Sequence, residues 1–364
     1  MYPALAVADA LQEKYGAIDD GVDILYVGSP AGMEKDLLGR TAWPYRAVDA
    51  GQVRGMSPRT LLGNSLKLWR GYRQARQLLV AWPADVVFVT GGYVTVPVAL
   101  AARRCRIPVM VYLPDLEPGW AIRLMSRFAA CIAVSFDEAR AHFPGQRQNK
   151  VWVSGYPVRA ELLNADRVRG CETLELDPAL KTLLVFGGSR GAKSINRAVG
   201  DILTDLLSRY QVVHVSGELD WPWVRERHDR LPPDVRARYH AYPYLHDQVI
   251  AAFAAADLVV SRVGAATLAE WPAVGLPSIL VPYPHSGQHQ QKNADFMVAR
   301  GAAVCIKDRD LNMELKPTIL RLLQDESALQ AMGARARELS RPDAADQLAA
   351  ELRRLAYSKG GTVQ

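Results

Sequence analysis

Residues 182–199 read TLLVFGGSRGAKSINRAV, and this stretch decides the fold. Thr182–Phe186 is a short apolar run of strand length. Gly187, Gly188 and Gly191 follow, and a helical segment starts at Ala192. A strand buried on both faces needs a run of that kind. Glycines let the backbone turn tightly and come close to a ligand. The free N–H groups of the helix start, with its dipole, favour an anion such as a diphosphate. Ser189 adds a hydroxyl donor. The same residues also serve as a plain strand-to-helix turn, and locally both readings stand.

Working outward, the pattern repeats. Upstream strand-length apolar runs fall at 22–27, 85–89, 108–112, 131–134 and 151–153. Downstream they fall at 211–215, 257–261, 278–281 and 302–306. Helix-length amphipathic segments separate nearly all of them. This βαβα alternation predicts an α/β protein with parallel sheets covered by helices. The rhythm restarts at 182, after residues 165–181, which lack periodicity and contain Gly170 and Pro178. The prediction is two similar doubly wound parallel-sheet domains, 1–158 and 159–341, with a separate helix at 342–364 that packs back on the first domain. At 364 residues, two domains are also what length implies.

Composition narrows the function. The chain is 49% hydrophobic and 23% charged, which excludes disordered, collagenous and coiled-coil classes. Lys and Arg number 44 against 38 Asp and Glu, a net charge of +6. That favours an anionic partner without implying nucleic acid. Cys105, Cys131, Cys171 and Cys305 are scattered, so they form no zinc spacing and read as reduced thiols. The longest uncharged run, 86–102, is broken by Thr90-Gly91-Gly92 and Pro97 and reads as strand, loop and helix start. No membrane span, metal or cofactor is expected.

Further motifs sit at strand ends. After 257–261 come Arg262, Gly264, Ala265, Thr267 and Glu270. Arg262 can pair with a phosphate, Gly264 permits close backbone approach, and Glu270 can accept from two ribose hydroxyls. A capping turn with a surface Glu is the plainer reading. Gln290 and Asn293 are three apart, so they share a helix face suited to sugar hydroxyls. In the first half, Thr90-Gly91-Gly92-Tyr93 ends one strand. Asp115 and Glu117 follow another, where open α/β sheets place their sites. Either acid can act as a general base or simply favour a helix start. Residues 50–84 carry Arg54, Arg59, Lys67, Arg70, Arg73 and Arg76 and no acid. Leu62, Leu66 and Trp69 lie at helical spacing beside these cations. The segment predicts a basic amphipathic face that docks on anionic lipid, or a packed helix with a solvated basic face.

Taken in order, GGY with Pro97, GxPVR at 155–159, GGSxGA with Asn196, RxGAxTxxE at 262–270, GLPSILVP at 275–282 and HQxxNA at 289–294 resemble the MurG family. These are bacterial GT-B enzymes that move N-acetylglucosamine from its UDP donor to undecaprenyl-pyrophosphoryl-muramyl-pentapeptide. The resemblance covers essentially the whole chain and implies roles. Ser189 would hold the UDP diphosphate, Leu245 would read uracil through its backbone, and Arg262 would face phosphate. Glu270 would hold the ribose, with Gly264, Ala265 and Thr267 beside it. Gln290, Asn293 and Asn196 would contact the sugar or its surroundings. Tyr93 and Arg159 would border the acceptor or the cleft. The implied reaction is inverting and needs no tightly bound metal. The implied location is peripheral, on the cytoplasmic face of the membrane. A related GT-B enzyme with another glycolipid acceptor, a catalytically impaired nucleotide-sugar-binding protein and a sugar-nucleotide epimerase of similar fold are the alternatives.

The sequence departs from the family in two places. Tyr2-Pro3-Ala4-Leu5 resembles the start of the family's first helix, yet Met1 stands where a strand and a glycine-rich loop ending in His precede it. The family's His-Glu-Gln-Asn stretch is replaced by Tyr112-Leu113-Pro114-Asp115. The expectation from the first departure is that the gene's reading frame continues upstream of the Met1 codon with a short strand and a GGxGGH-like loop.

Overall fold

The structure is a computed structural model and describes residues 2–17, 21–30, 43–51, 58–188, 191–286 and 288–360. The chain divides into two compact units. Unit 1 comprises Met1–Pro157 and Asp343–Gln364, and unit 2 comprises Val158–Pro342.

Among the described residues, unit 1 contains six short strands: β1 (Tyr26–Gly28), β2 (Tyr45–Ala47), β3 (Val87–Val89), β4 (Val109–Leu113), β5 (Cys131–Val134) and β6 (Val151–Val153). β1 and β2 pair in parallel, and β3-β4-β5-β6 form a second parallel sheet. β4 and β5 are buried along their whole length. Burial on both faces explains why they read as unbroken apolar runs. One face packs on the helix Thr95–Arg104, through Val98, Ala99 and Ala102. Val7 of the first helix (Tyr2–Tyr15) and Leu348, Leu352 and Leu355 of the last (Ala344–Gly360) cluster with Met110, Tyr112 and Ala133 on the other face. Lys14 and Asp346 form an ion pair of 2.8 Å between the same two helices.

Unit 2 contains β7 (Thr182–Phe186), β8 (Gln211–Val215), β9 (Tyr239–Tyr242), β10 (Leu258–Ser261), β11 (Ser278–Leu280) and β12 (Ala303–Cys305). All pair in parallel in the order β12-β11-β10-β7-β8-β9. Chain progression therefore runs outward in one direction from β7 to β9. It returns across β7 and runs outward in the other direction from β10. Loops leaving β7 and β10 diverge, and the crevice at such a reversal is where doubly wound sheets bind ligands. The core of this unit joins Leu183, Val185, Val212, Val260 and Ile279 of the sheet to Ile195, Val199 and Leu203 of the helix Lys193–Leu207.

Some expectations shift. The strand expected at 22–27 forms at 26–28, and residues 165–181 contain a helix, Arg167–Thr173. Asp166 caps it, its Oδ1 accepting from Arg169 N at 3.0 Å. The short edge strands β2 and β9 have no apolar run to announce them.

Leu348 is fully buried in unit 1 although about 190 residues separate it from the rest of that unit. Leu348→Ala is expected to destabilise the chain by about 2–5 kcal/mol, as cavity-forming core substitutions do. Urea denaturation checks this, and a midpoint equal to that of the parent chain would show that the last helix adds nothing to the core.

Candidate donor-binding site

The carboxyl end of β7 leads into Gly187 and Gly188, and the helix Lys193–Leu207 begins just beyond Gly191 and Ala192. Gly188 and Gly191 adopt φ of 80° and 74°, which side chains tolerate poorly. A Cβ on Gly191 would run into the Ser216 carbonyl, so no side chain fits there. Ser189, the expected hydroxyl donor, lies outside the described residues.

Beside β7, β10 ends in Ser261 and passes through Arg262, Val263, Gly264 and Ala265 to the helix Thr267–Val274. Gly264 is exposed, and a Cβ on it would meet open space, while Thr267 is buried. Two polar side chains of the helix His289–Ala299 hold this loop and the one after β11 by their backbones. Gln290 Oε1 accepts from Tyr283 N at 2.9 Å and from Val263 N at 3.4 Å. Asn293 Nδ2 donates to Val263 O at 3.2 Å. Asn293 is 1% exposed, and its Oδ1 is buried with no hydrogen-bond partner among the described residues. These side chains share a face, and the bonds they make are to the backbones after β10 and β11.

Arg262, expected to face a phosphate, is engaged within unit 2: its Nη1 lies 2.6 Å from Asp308 Oδ1 and donates to the carbonyls of Val281 and Pro282 at 3.1 and 3.3 Å. Its Nη2 donates to Ser194 Oγ at 2.7 Å, and Ser194 Oγ donates to Asp308 Oδ1 at 2.7 Å. The guanidinium also lies over the Tyr283 ring, 5.3 Å from its centroid. Asn196 is likewise engaged within unit 2. It is fully buried, its Nδ2 donating to Ser216 O and Asp220 Oδ2, both at 2.8 Å. Its Oδ1 is 3.0 Å from His214 Nε2, whose Nδ1 is 2.8 Å from the Tyr239 hydroxyl. Burial depresses the His214 pKa to about 4, so the ring is neutral. Asn196 thereby holds the Ser216 carbonyl that lies against Gly191.

Glu270 lies half-buried on the helix Thr267–Val274. Burial pushes its carboxyl up to about 7, and the nearby Arg159 charge partly opposes the shift. Arg159 belongs to unit 2, and its charge acts on Glu270. Leu245 is buried.

In unit 1, Tyr93 is 37% exposed after Gly91 and Gly92, whose φ values are 97° and 88°. Asp115 and Glu117 lie half-buried beyond the carboxyl end of β4, with Asp115 Oδ1 accepting from Leu116 N at 2.9 Å. The helix Pro58–Ala81 buries Gly71 and Ala75 and exposes Leu66, Lys67, Trp69, Arg70, Arg73 and Arg76. Arg73 stacks 4.9 Å from the centre of Trp69. Leu62 lies on this helix, but its side chain is outside the described residues. No helix among the described residues is long and apolar enough to cross a membrane, and none of their His, Cys, Asp and Glu side chains cluster to hold a metal.

Two parallel-sheet α/β units, one with glycine loops at its strand reversal, give the GT-B class of fold. The comparisons agree. Residues 1–134 match the Glycosyltransferase family 28 N-terminal domain and residues 182–348 the corresponding C-terminal domain. A Roseiflexus protein named UDP-N-acetylglucosamine–N-acetylmuramyl-(pentapeptide) pyrophosphoryl-undecaprenol N-acetylglucosamine transferase is 41% identical over 96% of this chain and 91% of its own. A protein of the same name from Desulforamulus reducens is 38% identical over 94% and 92%. The crystal structure of Acinetobacter baumannii MurG superposes with a TM-score of 0.73 at 25% identity, covering 97% and 95% of the two chains. UDP-GlcNAc 2-epimerase from Neisseria meningitidis shares the fold at 14% identity and a TM-score of 0.68. The chain belongs to glycosyltransferase family 28, in the MurG group of transferases.

The raised Glu270 pKa sets a pH dependence. Below its ordinary value near 4.5 the carboxyl is protonated in folded and unfolded chains alike. As pH rises toward about 7 the unfolded chain ionises first, so stability falls across that window and then levels. Glu270→Gln is expected to remove this loss, so its urea midpoint should gain on the parent between pH 5 and pH 8 by roughly the shift's effect. A constant difference between parent and variant would contradict it.

Proposed function

We propose that this chain transfers N-acetylglucosamine from UDP-N-acetylglucosamine to an undecaprenyl-pyrophosphoryl-linked muramyl pentapeptide, a cell-wall precursor. The strand reversal of unit 2, where β7 and β10 lie side by side and their glycine-containing loops leave a crevice between them, supports the reading. The printed names of relatives above 30% identity over nearly the whole chain support the substrates. Unit 2 binds the donor. The loop at 187–192 takes the diphosphate on helix-start amides and Ser189, Glu270 takes the ribose, and Leu245 meets uracil. Gly264, Ala265 and Thr267 border the nucleotide. Gln290 and Asn293 border the sugar. The acceptor hydroxyl attacks the anomeric carbon in line, a base takes its proton, and UDP departs with its charge held by amides. Asp115 and Glu117 are the candidate bases, and Tyr93 borders the acceptor. Incubation with labelled UDP-N-acetylglucosamine should yield a lipid-linked disaccharide. Free epimerised sugar or unchanged donor would contradict the reading. Glu270→Ala should weaken UDP binding about tenfold or more in calorimetry, the effect of losing charged hydrogen bonds. Unchanged affinity would remove Glu270 from the site.

Unit 1 is the membrane side in this reading, peripheral and facing the cytoplasm. It holds 21 Lys and Arg against 16 Asp and Glu, whereas unit 2 holds 23 against 22. The exposed Leu66 and Trp69 among Lys67, Arg70, Arg73 and Arg76 supply an apolar insertion beside cations. The protein should co-sediment with anionic vesicles and release as salt rises. Replacing the four cations with Glu should abolish this. Equal binding to neutral vesicles would contradict the electrostatic attraction.

A further inference from the structure

Arg262 is committed on both terminal nitrogens, and its partners come from three other parts of unit 2. Ser194 lies in the first turn of the helix that follows the β7 loop. The Val281 and Pro282 carbonyls follow β11. Asp308 opens the 3₁₀ turn after β12. Arg262 and Asp308 side chains are 13% and 21% exposed, so solvent screens the pair weakly. Asp308 also accepts from Ser194, closing a triangle of three side chains. The guanidinium cannot turn toward a bound phosphate without giving up these partners. Charge-assisted bonds of this kind are the stronger ones in a protein.

We propose that Asp308 is a positioning residue for the donor diphosphate. It fixes Arg262, and Arg262 joins the ends of the loops after β7, β10 and β11 into one arrangement. Arg262 is then a strut, and the β7 loop receives the phosphates. Asp308 lies in none of the glycine-containing motifs, 46 positions beyond Arg262. This inference rests on the donor reading above.

The test is titration of the full chain with UDP and, separately, with uridine, in the parent, Asp308→Asn, Asp308→Glu, Arg262→Lys and the Asn/Lys double variant. Asp308→Asn should weaken UDP binding about fivefold or more and leave uridine binding within about twofold, because the loss falls on the phosphates. Asp308→Glu should recover most of it. The double variant should bind no worse than the weaker single, since residues of one network are not additive. If Asp308→Asn does not fold, Ser194→Ala replaces it, with a weaker UDP-selective loss expected. Unchanged or tighter UDP binding in Asp308→Asn, with a loss in Arg262→Lys, would make Arg262 a phosphate ligand restrained by Asp308 and overturn the proposal. Equal losses of UDP and uridine would also overturn it, because the role would be general folding. A parent chain that binds uridine and UDP equally weakly would bring down the donor reading itself, and the proposal with it.

Discussion

The strand reversal between β7 and β10 is the constraint on which unit 2 depends. Two neighbouring parallel strands send their chains in opposite directions, which leaves a crevice that no crossover helix covers. The crevice is useful only if the loops beside it stay fixed while their backbone remains accessible. Glycines give access: Gly188 and Gly191 take left-handed φ, and Gly264 leaves open space. Fixity comes from side chains that reach in from elsewhere. Gln290 and Asn293 grip Val263, Asn196 grips Ser216, and Arg262 ties Ser194 to Asp308.

This arrangement changes how several polar residues are understood. Arg262 and Asn196 resemble ligand contacts in sequence, yet the structure spends them on other parts of the protein. Buried polar groups must be satisfied or they cost stability, and a satisfied network holds its members in one geometry. Asn293 is different, because its buried Oδ1 has no partner among the described residues. Glu270 is also distinct. Its half-buried carboxyl sits in surroundings that raise its pKa to about 7, so hydroxyl donors arriving beside it would favour its charged form.

Much of the fold was legible in the sequence because buried parallel strands announce themselves. β5, β6, β7 and β8 fall at the residues their apolar runs indicate. The edges were not legible. β9 reads Tyr-His-Ala-Tyr, half-exposed at the end of its sheet, and β2 is three residues with two exposed. Motif spacing located the β7 and β10 loops, since each motif is local. It could not locate Asp308, His214 or Asp220 as partners, because those contacts join residues 18 to 46 positions apart. Nor could it show that Arg159 belongs with Glu270, 111 positions away. Only the packing of the sheet brings such pairs together.

The central claim is that the β7 and β10 loops together form the nucleotide site. Hydrogen exchange of the full chain with and without UDP tests it most directly. Slowed exchange confined to peptides spanning residues 187–196 and 262–270, with the β8 and β9 region unchanged, is the predicted result. Protection that appears elsewhere while these two segments exchange as before would contradict the account.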